Sequence, residues 1–143
     1  MIPRPANMMF INNSVNPPRA MFPWNPTLPN LKLHNLIPYF TAIEDLAARE
    51  GVDTMIGGFI AFGVKDGKPF LEPATGSIGV VSEQKEFWQK LLTAVKTEYD
   101  AGTPPKQMIN KIDLEQFSGY PLYSKSNIET LIRRVASLYI IGR

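Results

Sequence analysis

A chain of 143 residues has the size of a single domain, and its 44% hydrophobic and 20% charged content is that of a soluble globular protein. It has no cysteine, which excludes disulfide frameworks, thiolate nucleophiles and cysteine–zinc centres. The net charge of +2 is unevenly placed: residues 1–43 carry Arg4, Arg19 and Lys32 with no acid, whereas residues 44–143 carry the other twelve bases against all thirteen acids.

The N-terminal stretch 1–38 holds eight of the thirteen prolines, yet Ile2, Met8, Met9, Phe10, Ile11, Met21, Phe22 and Trp24 punctuate it. Proline at this density stops helices and interrupts ladders, while apolar residues this frequent need a surface to bury them. The expectation is an extended arm over 1–38 that docks on something, joined to a compact domain over 39–143. Met8–Ile11 reads as a short strand stopped by Asn12-Asn13, able to add to a sheet edge of its own body or of a neighbour. From Asn16 to Asn30 the prolines favour polyproline II, which at about 3.1 Å per residue gives the whole arm a reach of roughly 100 Å. A secretory signal is not expected, since Met8–Ile11 is too short for its apolar stretch, and proline breaks the helix that a transit peptide needs.

In the body, Leu36, Phe40, Ile43 and Ala47 recur at helical spacing and predict a helix over about 39–50, with Gly51 as its stop. Residues 59–72 read as a hairpin around Asp66-Gly67, with Pro69 and Pro73 placing the return strand at a sheet edge. A third strand is expected over about 77–81. Ser82 to Ala101 predicts a long helix capped by Ser82 and ended by Gly102, its stripe of Phe87, Trp88, Leu91, Val95 and Tyr99 crossing the sheet to form the core. A shorter helix follows through Met108, Ile109 and Ile112. A last one starts at Ser126, with Glu129 completing a capping box and Ile128, Leu131, Ile132, Val135, Leu138 and Tyr139 on one face. The fold class is therefore α+β: a small antiparallel sheet packed by three to four helices, with an extended proline-rich N-terminal arm. No run of eighteen apolar residues exists, so no membrane span is expected.

Nothing in this pattern names a reaction. His34 is the only histidine and has no carboxylate near it in sequence, so neither a hydrolytic triad nor a histidine–metal site is expected. The acids are dispersed and several stand at helix starts; no metal and no cofactor is expected. Gly76-Ser77-Ile78-Gly79 lacks the Lys-Ser/Thr ending of a phosphate loop, and Glu83 and Glu86 would repel an anion there. Arg133 and Arg134, with Lys106, Lys111 and Lys125 before them, form the one set of basic positions that could meet nucleic acid, but Asp113, Glu115 and Glu129 lie among them.

Partner docking is the stronger signal. Met8, Met9, Phe10, Ile11, Phe22 and Trp24 are anchors on an extended segment, large in buried area and small in rotamer loss. Ile140 and Ile141 widen the apolar surface of the last helix at its final turn, as in a helix end that is deeply buried or docked. The expected function is a non-enzymatic structural subunit of a large assembly, a virus or phage particle, whose arm ties neighbouring subunits together. Its place is then the virion or the cytoplasm of the producing cell. The alternative is a small nucleic-acid-associated or regulatory module using Arg133 and Arg134.

Overall fold

The computed structural model describes residues 10–22, 32–65, 68–120 and 124–142. In chain order these form β1 (Phe10–Asn12), β2 (Arg19–Phe22), α1 (Leu33–Arg49), β3 (Thr54–Lys65), β4 (Lys68–Ser77), α2 (Gly79–Asp100), α3 (Pro105–Lys111), a 3-10 turn (Leu114–Phe117) and α4 (Lys125–Ile140). The class is α+β, as expected. The chain divides into two compact units, one holding residues 10–22 with Tyr39–Ser82, the other residues 32–38 with 83–142.

The first unit is built on a sheet of order β1-β2-β3-β4. β3 and β4 are the expected hairpin, longer than predicted, with Lys65 opposite Lys68 so that two residues lie between them. In such a hairpin the closing pair exchanges both hydrogen bonds, and alternate pairs beyond it do not. Counting from Lys65–Lys68, Pro69 (opposite Val64) and Pro73 (opposite Ile60) both fall on the non-bonded positions, whose amides face away from β3. β4 ends the strand order, so the two prolines face the open edge.

Further along, Ile56 pairs with Thr75 and Ile60 with Pro73, so three residues of β3 oppose Ala74 alone. The excess falls on Gly57-Gly58, where the missing Cβ atoms ease a bulge. β2 runs parallel to β3 from Arg19–Thr54 to Phe22–Gly57, so its pairing stops where the bulge begins. β1 pairs antiparallel with β2 through Phe10–Met21, Ile11–Ala20 and Asn12–Arg19. β2, α1 and β3 thus form a βαβ crossover, and Ala20 is only 1% exposed.

Two expectations about this unit change. Residues 19–22 do not take polyproline II; they form an interior strand, fixed further by the Asp53 amide donating to the Pro18 carbonyl. Residues 79–81 are not a third strand. β4 ends at Ser77, and α2 starts at Gly79, whose amide donates to Ser77 Oγ. Val80 and Val81 have strand propensity, but Val81 is buried as a helical residue. Ser82 is consequently not a cap; its hydroxyl donates to Glu44 of α1 at 2.6 Å.

α1 begins at Leu33 rather than near residue 39, extending the buried 3/4 spacing backward through Leu33 and Leu36 to join Phe40, Ile43 and Ala47. Pro38 therefore lies inside the helix, where it can offer no amide to the His34 carbonyl. Gly51 ends α1 at φ +67°: its amide bonds the Ala48 carbonyl, and the Val52 amide bonds that of Ala47. This left-handed stop is the one that a glycine allows.

The described part of the second unit is helical. Phe87, Trp88, Leu91 and Val95 of α2, Met108 of α3, Phe117, and Ile128, Ile132, Val135 and Ala136 of α4 are buried. Gly102 at φ +73° closes α2 with the same paired bonds, Gly102 to Tyr99 and Thr103 to Glu98. Pro105 opens α3 at the position where a missing amide costs nothing. α4 starts one residue before the expected Ser126: Ser124 is the cap, accepting from the Asn127 amide at 3.2 Å.

Candidate functional site

Most expected arm anchors cannot be placed as a surface. Met8, Met9 and Trp24 lie outside the described residues. Phe10 and Phe22 stand on β1 and β2, and Ile11, opposite Ala20, is half-buried. Residues 10–12 and 19–22 of the proline-rich segment are thus strands of the first unit's own sheet, and 33–38 belong to α1. What remains from the expected docking set is the end of α4.

There the sequence puts Tyr139, Ile140 and Ile141 in succession, and a single helix cannot bury all three directions. Tyr139 is half-buried and stacks on Tyr99 of α2, ring centroids 5.6 Å apart and planes 26° apart. Its hydroxyl donates to the Leu92 carbonyl at 3.5 Å, at the long limit for such a bond. Burial raises the phenol's pKa above its ordinary 10.0. Ile140 and Ile141 point away from that packing, 58% and 59% exposed, and Tyr99 is 38% exposed. Gly142 at φ +69° follows, with its amide on the Tyr139 carbonyl, and so fixes the last turn. The Lys96–Asp100 ion pair brackets Tyr99 along α2 and raises the Lys96 pKa.

The stacking of Tyr99 on Tyr139 is not evident from the sequence, in which each residue belongs to the apolar stripe of its own helix. The signal lay in their positions at the last turn of two helices, each just before a terminating glycine, Gly102 and Gly142.

Other polar clusters in this unit are internal clasps. Tyr120 donates to Glu86 Oε1 at 2.9 Å, Lys90 pairs with the same oxygen at 3.2 Å, and the Lys90 ammonium lies 5.1 Å from the centre of the Tyr120 ring. The Tyr120 hydrogen bond, then Lys90, lowers the Glu86 pKa; Tyr120, then Glu86, raises that of Lys90. Phe87 packs edge-on against Trp88, Phe117 and Tyr120, so this clasp lies over an aromatic cluster. Thr103, buried after Gly102, donates to Glu98 Oε2 at 2.7 Å and accepts from Lys111 at 3.3 Å. Lys111 is thereby engaged within the fold. Arg133 is exposed and Arg134 half-buried on α4.

His34 is exposed in the first turn of α1. Among the described residues no group of three histidine, aspartate or glutamate side chains could hold a metal ion, and no helix is long and apolar enough to cross a membrane. Comparison with protein-family models, with curated proteins and with solved structures finds no match.

Proposed function

We propose that the protein is a non-enzymatic structural subunit of a larger assembly, with a virus or phage particle as its setting, and that it meets a neighbour through the apolar end of α4. The exposure of Ile140 and Ile141 beside the stacked Tyr99–Tyr139 pair carries this reading. Two adjacent β-branched side chains gain about 1.5–3 kcal/mol each on full burial, and aromatic neighbours supply rigid contact area at small entropic cost. An apolar cluster rimmed by an ion pair is the composition of an interface centre with its polar border.

The test is incorporation. The full chain and its Ile140→Glu/Ile141→Glu variant are expressed in the producing cells, and the high-mass fraction is separated on a density gradient. The wild type is expected in that fraction. The variant, with an unchanged circular dichroism spectrum, is expected among free subunits. A variant that sediments with the assembly as the wild type does overturns the reading.

A further inference from the structure

We propose that residues 10–22 exchange between copies of this chain, so that β2 of one copy seats on the β3 edge of a second; this rests on the reading of the protein as an assembly subunit. Three features of the fold lead there.

The first is the seat. β2 is held by a defined parallel register of four pairs, Arg19–Thr54 through Phe22–Gly57, with Ala20 buried and the Pro18 carbonyl bound by the Asp53 amide. A β2 arriving from another copy would make the same pairs, so exchange requires no new interface chemistry. The second is the connection. Between Phe22 and Leu33 lie ten residues, including Pro23, Pro26 and Pro29, whereas strand-to-helix connections in such units usually take about two to six. The return from α1 to β3 takes only the four residues 50–53. Ten residues with this proline content span about 30 Å when extended, enough to place β2 on a neighbouring sheet.

The third is the choice of edge. The outward positions of β4 include Pro69 and Pro73, which cannot donate to an added strand, and β1 offers only three residues. The long, receptive ladder is β3, on the side where β2 now sits. The same segment can therefore close its own sheet or tie two chains, and the second arrangement joins subunits without adding an exposed strand edge.

Because the chain has no cysteine, the exchange can be read directly. Ala20 and Met55 are register partners on adjacent strands, about 4.8 Å apart, within the range that a disulfide bridges. Chains carrying only A20C and chains carrying only M55C are mixed, co-assembled and oxidised, with A20C paired with S137C as the control. The expected result is an A20C–M55C cross-linked dimer in the assembled fraction, at least tenfold above the control. The A20C/M55C double variant should cross-link within one chain while free, and between chains once it assembles alone.

Assembled material without the mixed cross-link, while the double variant closes internally, overturns the exchange and leaves the assembly reading standing. Failure of the wild type to assemble at all overturns both. M21C and I56C, the next register pair, repeat the measurement in case A20C does not fold, and a negative result with that pair counts equally against the exchange.

Discussion

Ala20 lies opposite Met55 in the parallel ladder between β2 and β3, and it is almost wholly buried. A residue from the proline-rich N-terminal stretch thus fills an interior position of a sheet whose other two long strands lie more than thirty residues ahead. Residues 10–12 and 19–22 are thus strands of the first unit's own sheet.

Deleting residues 1–22 should therefore damage the sheet selectively. It leaves β3 and β4 as a two-stranded hairpin, which is marginal in water on its own. Amides of Thr54–Gly57 are expected to lose their protection in hydrogen exchange, while those of α2 and α4 keep theirs. A milder probe is Ala20→Leu, which overpacks a buried site and should cost about 1–3 kcal/mol in urea unfolding.

The elements that were legible in the sequence share one property: their signals are local. Leu36, Phe40, Ile43 and Ala47 mark the buried face of α1, and all four are buried; Gly51 and Gly102 end helices where a left-handed residue is needed. Pro69 and Pro73 placed β4 at an edge because an amide is missing wherever the strand is added. β2 escaped because four residues flanked by Pro17, Pro18 and Pro23 carry no readable period, and their partner is β3, across a whole helix. Two helix starts differ from the sequence pattern: at Val81, where burial outweighs strand propensity, and at Leu33, where the helix runs back past Pro38. Of the site, Ile140 and Ile141 were visible as excess apolar residues, but the Tyr99–Tyr139 pairing depends on how two helices end side by side.

Gly102 offers a clean measurement of backbone strain. Its φ is +73°, and a Cβ placed there would meet nothing within 4 Å. Gly102→Ala should therefore cost only the left-handed penalty, about 1–2 kcal/mol, with no steric term. Urea unfolding of the full chain gives the difference, and a cost near zero would show that the terminus rearranges.

Stability should fall on the alkaline side through a specific set of groups. Lys90 and Lys96 have pKa values raised by their partners, so their contribution is complete below the ordinary 10.5 and is lost as pH rises through the folded values. Tyr39 and Tyr139, raised by burial above 10.0, act in the same direction, because the unfolded chain releases those protons first. On the acid side, Glu86 is lowered, so its contribution is present above 4.5 and lost as pH falls through the folded value. In Tyr120→Phe the Glu86 carboxyl loses the hydrogen bond that lowers it most, and its titration, followed by carbon NMR, should move upward toward the ordinary value. An unmoved titration would assign the shift to Lys90 alone.

The stacked tyrosines at the apolar end of α4 should be coupled energetically as well as geometrically. Tyr99 and Tyr139 stack at 5.6 Å and 26°, close to the offset arrangement that aromatic pairs prefer. Tyr99→Ala, Tyr139→Ala and the double substitution form a cycle in which the pair is expected to contribute about 0.5–1.5 kcal/mol beyond the separate losses. Tyr139→Phe should retain most of that coupling, since its 3.5 Å hydrogen bond to the Leu92 carbonyl is long. Ile140→Glu/Ile141→Glu should shift the unfolding free energy by no more than about 0.5 kcal/mol, as expected for exposed positions. That contrast separates the tyrosines, which hold α2 to α4, from the isoleucines, whose substitution should be felt only in association. A destabilisation of several kcal/mol in the isoleucine variant would place those side chains inside the folded chain and remove them from the interface.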